Sequence, residues 1–292
     1  MNKILFYIVY LFSKLPLRVL YIFSDILFLV NFHIIGYRKK VVYENLKNSF
    51  PEKSQEEILE IQRRFFRNFS DYIVEMVKAI SISEKELRMR VQHINQDLFH
   101  QAKEEQKNVI LLAGHIFNWE WIGALGKVIL QENCYPVYRK VNDDFWEEKV
   151  KIIRNRFGNK AINARKVLKH ILKTPLDGNS VYFFVADQTP HFSEVSYGIR
   201  FLNQKTPVFI GYDKISQKLN LAFIFCEMKK VKRGYYQVNY HRICPDNEVF
   251  QPYEVVRKFH QKLEETIQKN PDNWLWSHKR WKYQDSIKKY EE

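Results

Sequence analysis

Two short runs set the strongest limit on what this chain can fold into: Asn108-Val-Ile-Leu-Leu-Ala113 and Val181-Tyr-Phe-Phe-Val-Ala186. Each is nearly all apolar and too short for a helix, so each predicts a strand buried inside a sheet. Around them the pattern alternates. An amphipathic stretch over 119–130 follows the first run, then a strand at Pro136-Val137-Tyr138, a helix over 145–157 and a turn at Gly158-Asn159. Residues 221–228 and 235–243 predict two strands joined at Arg233-Gly234, and 253–269 predicts a final long helix. Strands alternating with helices imply an α/β fold, a single mixed sheet flanked by helices, filling 108–285 without repeat or linker.

Upstream, 41–107 reads as a helical cover. Val42 and Leu46 begin it, Ser54-x-x-Glu57 forms a capping box, and Ile58, Ile61, Phe65, Phe66 and Phe69 recur at helical spacing. Residues 1–40 form a hydrophobic segment of a different kind. Residues 4–12 are unbroken apolar until Ser13-Lys14-Leu15-Pro16, and 19–35 is greasy but carries Ser24, Asp25, Asn31 and His33. A spanning helix needs about 20 mainly apolar residues, and a central carboxylate is costly there, so neither run is a clean span. No small-residue cleavage site follows to suggest a secretory signal. The basic cluster Tyr37-Arg38-Lys39-Lys40 comes next, suited to anionic headgroups on a cytoplasmic leaflet. Aromatic residues punctuate both runs as in interfacial helices, which predicts a helical membrane anchor. The competing reading is a pair of ordinary core helices with a basic exit.

A net charge of +14 favours acidic partners: nucleic acid, anionic lipid or an acidic carrier protein. Zinc-finger spacing, an RNP-type run and a zipper are all missing, so no nucleic-acid partner is expected. With 46% apolar and 15% aromatic residues the chain is not disordered. A mean hydropathy of −0.42 excludes a multi-span transporter. Cys134, Cys226 and Cys244 are far apart and odd in number, as expected of reduced packing thiols.

The sharpest chemical feature is Gly114-His115-Ile116-Phe117-Asn118-Trp119-Glu120, where a buried strand gives way to a helix. Strand ends of an open α/β sheet collect functional groups. Histidine is the natural general base near neutral pH, and a carboxylate can orient it. Five residues on one regular helix are turned about 140° apart, so His115 and Glu120 meet only if His115 sits in the turn ahead of the helix. The bland alternative is a strand-end histidine and a solvated glutamate. A metal site from this pair lacks a third ligand, and no nucleophile elbow, phosphate loop or dinucleotide fingerprint is present.

The order of motifs is more specific than any one of them. It runs through Arg38-Lys-Lys-Val-Val, Asn45-Leu46, Phe50-Pro51-Glu52, Ala113-Gly114-His115 with Glu120, Val137-Tyr138-Arg139 and Arg156-Phe157-Gly158. It continues through Ala186-Asp187-Gln188, Phe201-Leu202-Asn203, Thr206-Pro207 and Trp274-Leu-Trp276-Ser-His278-Lys-Arg280-Trp281. This order resembles the late acyltransferases of lipid A assembly (lauroyl and myristoyl transferases), within the lysophospholipid acyltransferase-like superfamily. The resemblance implies an H-x4-D/E dyad, His115 and Glu120, that deprotonates an acceptor hydroxyl for direct attack on an acyl thioester. It implies no acyl-enzyme, no cofactor and no metal. The donor is expected to be acyl carrier protein or coenzyme A thioester, and the acceptor a lipid A precursor or other glycolipid. The expected location is the cytoplasmic face of a bacterial inner membrane, with a membrane-facing apolar groove for the chain.

Further substrate-binding candidates follow. Arg139 matches the Tyr-Arg element, to hold a phosphate or polarise the thioester carbonyl. Asn118 either orients substrate or caps the helix. Asp187 and Gln188 stand at a second strand end, to shape the acceptor pocket or bind Arg139. Arg165 and Arg200 are candidate phosphate ligands. His278 and Arg280 lie among tryptophans, as at a headgroup interface or in a docked C-terminal segment. Two departures flank the acceptor side: Lys140-Val141-Asn142 after Arg139 where relatives have proline, and Thr189-Pro190-His191-Phe192 where many have a double Phe-Gly. They leave the acceptor open to an aminolipid or phospholipid. A lipid-binding relative without catalysis is the alternative from another class.

Overall fold

The computed structural model describes residues 2–291. The two greasy runs form α1 (Asn2–Ser13) and α2 (Leu17–Val30), with Pro16 between them starting the second. A single π turn over Asn31–Ile35 extends α2, and Gly36 stops it in the left-handed region at φ 65°. Leu17–Ile35 is long and apolar enough to cross a membrane. One face of α2, with Leu17, Leu20, Ser24 and Phe28, packs on the body of the protein; Ile22, Phe23, Ile26 and Leu29 stay exposed. The carboxylate that spoils a clean span is answered: the Arg233 guanidinium donates to Asp25 at 2.7 and 3.2 Å, and the Ser24 hydroxyl donates to Asp71 at 2.7 Å.

Helices α3 (Lys39–Ser49) and α4 (Gln55–Lys78) come next. The capping box at the start of α4 is complete: the Ser54 hydroxyl accepts from the Glu57 N–H at 3.2 Å, and the Glu57 carboxylate accepts from the Ser54 N–H at 2.8 Å. Helix α4 buries Ile58, Ile61, Phe65, Phe66 and Val74. The stretch read as cover holds more than helix. After α5 (Glu84–Arg90) it forms β1 (Val91–Ile94), then α6 (Asp97–Glu104).

The α/β part follows as β2 (Val109–Ala113), β3 (Asn133–Tyr138), α7 (Asp144–Arg154), β4 (Ile162–Asn163), α8 (Ala164–Ile171) and β5 (Ser180–Val185). Then come β6 (Tyr197–Phe201), β7 (Gln204–Pro207), α9 (Gly211–Ser216), β8 (Ala222–Lys232), β9 (Tyr235–Ile243), α10 (Glu254–Lys269) and β10 (Lys289–Glu291). Seven strands form one sheet in the order β1-β9-β8-β2-β5-β3-β4. It is mixed: β8 and β9 are an antiparallel hairpin, and the other neighbours pair parallel. The apolar runs 108–113 and 181–186 form β2 and β5, parallel neighbours in the middle, with all of β2 buried. A three-stranded sheet, β10-β6-β7, lies apart and was not foreseen.

The amphipathic stretch after β2 winds as 3₁₀ turns over Trp119–Lys127 instead of a regular helix. Gly123 and Gly126 weaken it, and a side chain at Gly126 would come within 2.5 Å of Asn159. Residues from Leu17 to Trp281 share one hydrophobic core. Cys134 and Cys226 are buried in it, Cys244 is exposed, and all three are free.

Candidate active site

Register builds the site. Ala113 of β2 lies opposite Val185 of β5, and the Ala186 N–H continues the ladder to the Ala113 carbonyl at 2.9 Å. Two residues past each strand end stand His115 and Asp187, so parallel pairing delivers them side by side. Asp187 Oδ1 lies 2.5 Å from His115 Nδ1, and Oδ2 accepts from the His115 main-chain N–H at 2.8 Å and from Trp274 Nε1 at 2.5 Å. Gly114 permits this approach. A methyl there would meet Leu263 of α10 at 2.5 Å and Asp187 Oδ2 at 3.3 Å.

Burial by itself pushes the Asp187 carboxyl up. The His115 charge, the two His115 hydrogen bonds and the Trp274 N–H reverse that and hold it well below the usual carboxylate range. An ionised Asp187 takes the Nδ1 proton as its hydrogen bond, which leaves Nε2 with its lone pair free. That assignment follows from the bonding pattern. The ring lines a small pocket with an apolar wall of Phe65, Phe69, Tyr72, Phe117, Trp119 and Leu275. Trp119 packs edge-on to His115 at 4.6 Å and stacks on Tyr72 at 4.4 Å. Asn68, Asp272 and Asn273 supply its polar side.

The C-terminal segment completes the site. Ile116 bridges to Trp274, the Leu275 N–H donates to the His115 carbonyl at 3.1 Å, and the Phe117 N–H to the Asn273 carbonyl at 3.0 Å. Phe117 is thereby held at φ 45°, a left-handed conformation that bulky residues avoid. Strain of this kind persists where surrounding contacts enforce it.

Glu120 is turned elsewhere. Its carboxylate accepts from the Arg154 guanidinium at 2.7 and 3.5 Å, and no hydrogen bond or ion pair joins it to His115. The carboxylate on the ring therefore comes from the second strand end, 72 residues along the chain, not from five residues ahead. Asn118 neither caps the turn nor faces the pocket; it is buried and donates to Glu75 Oε2 at 2.8 Å. Glu75 also accepts from the Tyr21 and Tyr236 hydroxyls at 2.6 and 2.8 Å, tying α2, α4 and β9 to this loop.

The expected Asp187–Arg139 contact is not made: Arg139 is exposed, without a hydrogen-bond partner among the described residues. The Arg165 side chain is exposed on α8, and Gln188 is half-buried beside Asp187. Arg200 is exposed on β6, bonds Asn203 at 3.2 Å, and borders a separate polar groove with Lys47 and Lys53. His278 and Arg280 do not form a headgroup surface. The Thr189 N–H donates to His278 Nε2 at 3.2 Å, and burial pushes this imidazole down to about 4, so it is neutral. Arg280 is fully buried. Three residues went unnoticed as site members: Arg154, Trp274 and Glu75. Trp274 stood inside a quoted motif, but no local spacing signals that its indole reaches a strand end 87 residues away.

The sequence matches the family described as bacterial lipid A biosynthesis acyltransferase over residues 4–283. It is 23% identical over 241 residues to a lipid A biosynthesis acyltransferase of Haemophilus influenzae, covering 80% of this chain and 72% of that protein.

Proposed function

Because this chain belongs to the bacterial lipid A biosynthesis acyltransferase family and is an acyltransferase, we propose that it moves a fatty acyl group from a thioester to a hydroxyl of a lipid A precursor, with His115 as general base. The observation that carries the reading is the His115–Asp187 pair at an apolar pocket. The acceptor O–H gives its proton to His115 Nε2 while its oxygen bonds to the thioester carbonyl carbon. Asp187 holds the ring and stabilises the imidazolium. The tetrahedral intermediate then collapses, the C–S bond breaks, and the imidazolium returns the proton to the thiolate. Glu120 and Arg154 form a charged pair in the same loop region, suited to hold the loop or meet a substrate anion.

The donor is a fatty acyl chain on acyl carrier protein, an acidic partner for a chain of +14, with coenzyme A as the alternative carrier. The chain works at the cytoplasmic face of the inner membrane. The exposed apolar faces of α1 and α2, with Ile4, Ile8, Leu11, Ile22 and Ile26, enter the lipid, while the ion pairs of Asp25 keep the inner face of α2 on the protein. The two departures beside Arg139 and Gln188 favour a second reading, the same chemistry on another lipid such as an aminolipid. Mass spectrometry of total lipid from a deletion strain separates them. The first reading predicts lipid A short of one acyl chain, and unchanged lipid A removes it.

A further inference from the structure

Glu75 of α4 is fully buried, and no step of the proposed reaction uses it. Its carboxyl group accepts from three neutral donors: the Tyr21 hydroxyl on Oε1 at 2.6 Å, and the Asn118 amide and Tyr236 hydroxyl on Oε2, both at 2.8 Å. Its main-chain carbonyl accepts from the Trp121 indole N–H at 3.1 Å. A carboxyl group in the core is costly when only hydrogen bonds offset its lost water, and an apolar side chain of that length would avoid the penalty.

What the bonds hold is the segment after His115. Asn118 stands between Phe117 and Trp119, which both belong to the pocket wall, and Trp119 packs on the His115 ring. The Asn118 side chain does not cap the 3₁₀ turns that follow, and its Oδ1 is unpaired, so the amide is fastened through Glu75. Tyr236 flanks the same segment, its ring 5.9 Å from Phe117 and 6.0 Å from Trp121. The C-terminal segment grips the other side of the loop, where the Phe117 N–H donates to the Asn273 carbonyl. Between these two holds Phe117 keeps its left-handed backbone.

We propose that Glu75 is a positioning residue for acyl transfer, holding Phe117 and Trp119 against His115 from the α4 side through Asn118. The proposal rests on His115 being the base, since the wall matters to the reaction only if the reacting atoms lie beside it. Glu75 acts by accepting hydrogen bonds, and glutamine can do the same. Two donors converge on Oε2 and one on Oε1, so the amide oxygen of Glu75→Gln takes the Oε2 place and its NH₂ turns to the Tyr21 oxygen, which can accept. Glu75→Met, similar in length, strands the Asn118 amide and both hydroxyls.

The test compares Glu75→Gln, Glu75→Met and Asn118→Ala in the full chain on lipid vesicles. Two quantities are read: kcat for thiol release from a fatty acyl thioester, and hydrogen exchange by mass spectrometry over residues 115–122. A misplacement of about 1 Å can cost about 100-fold in rate, so Glu75→Met and Asn118→Ala are each expected to lose about tenfold or more in kcat, with Glu75→Gln within about threefold of wild type. Exchange over 115–122 should quicken by about tenfold in the two damaging variants while β2 and β5 stay protected. A merely structural role would loosen the strands together with the loop and leave the kcat of the folded fraction unchanged. Either of those results overturns the proposal, as does a folded Glu75→Gln as impaired as Glu75→Met. Should a Glu75 variant not fold, Asn118→Ala decides, because it cuts the loop bond and spares both tyrosine bonds; its failure to fold would also overturn the proposal. Wild-type activity in His115→Ala would instead remove the base assignment, and the exchange result would still show whether Glu75 holds the wall.

Discussion

Replacing Asp187 by asparagine is the most revealing single change, because the structure dictates which way the amide turns. Two N–H donors, from the His115 main chain and the Trp274 indole, converge on the Oδ2 position. An NH₂ group placed there would leave buried donors unpaired at a cost of about 1–3 kcal/mol each. The amide oxygen therefore takes that place and the NH₂ faces His115 Nδ1. Nδ1 must then accept, which puts the ring proton on Nε2, the nitrogen facing the pocket. A base protonated at its working atom loses the general-base contribution of about 10²–10⁴-fold. A wrong-tautomer effect of about 10⁴ is known for a His-Asp pair in serine proteases. The expected outcome for Asp187→Asn is thus a fall in kcat of about 10³-fold or more, with a Tm close to wild type because the volume and both Oδ2 bonds survive. Initial rates of thiol release from a fatty acyl thioester in lipid vesicles measure the first, and thermal unfolding by circular dichroism the second. A folded variant within about tenfold of wild-type kcat would refute the tautomer argument.

Four other outcomes are expected. Gly114→Ala forces its methyl onto Leu263 and Asp187; overpacking should cost about 1–3 kcal/mol in denaturant unfolding and lower activity beyond what that loss explains. Glu120→Gln and Arg154→Gln remove opposite halves of one ion pair, so kcat/KM of the double variant should equal that of the worse single, whereas additive losses would show that the two act separately. Ile22, Ile26 and Leu29 changed together to serine should abolish co-flotation with anionic vesicles while leaving Tm unchanged, since all three are exposed and an apolar side chain of this size contributes about 1.5–3 kcal/mol when fully buried. Acid should destabilise the fold before carboxylates titrate. Burial lowers His93, His260 and His278 from 6.5 to about 4, 3 and 4, so the unfolded chain binds more protons in that window. Their stability contribution is full above about pH 6.5 and is lost as pH falls toward 4; a Tm that is flat from pH 7 to 5 would contradict this.

What could be read ahead of the structure was whatever depends on neighbours in sequence. The two buried runs, the Ser54 capping box, the hairpin at Arg233-Gly234 and the helix beginning near Tyr253 are local patterns, and each is present with small shifts at its ends. β1 escaped notice because Val91-Gln-His-Ile is a short edge strand with no apolar alternation of its own. The 3₁₀ turns after β2 owe their form to two glycines and to Asn159, which approaches from another strand's loop. The site divided along the same line. His115 stands out at a strand end, but the resemblance, and a spacing that permits it, point its ring at Glu120. The real neighbour is set by the register of β2 against β5, and strand order is a tertiary fact. The available clue is that Asp187 follows a buried run just as His115 does. Arg280 stays ambiguous in sequence for a related reason: a cation between tryptophans fits a headgroup interface and a docked C-terminal segment equally, and only packing shows that it is enclosed.

The central claim is that one imidazole, held by Asp187, takes the proton that allows acyl transfer. It is tested most directly by thiol release from a fatty acyl thioester in membranes carrying His115→Ala, compared with wild type at equal protein level. Membranes carrying the variant should release thiol no faster than membranes lacking the protein. Release at the wild-type rate would contradict it.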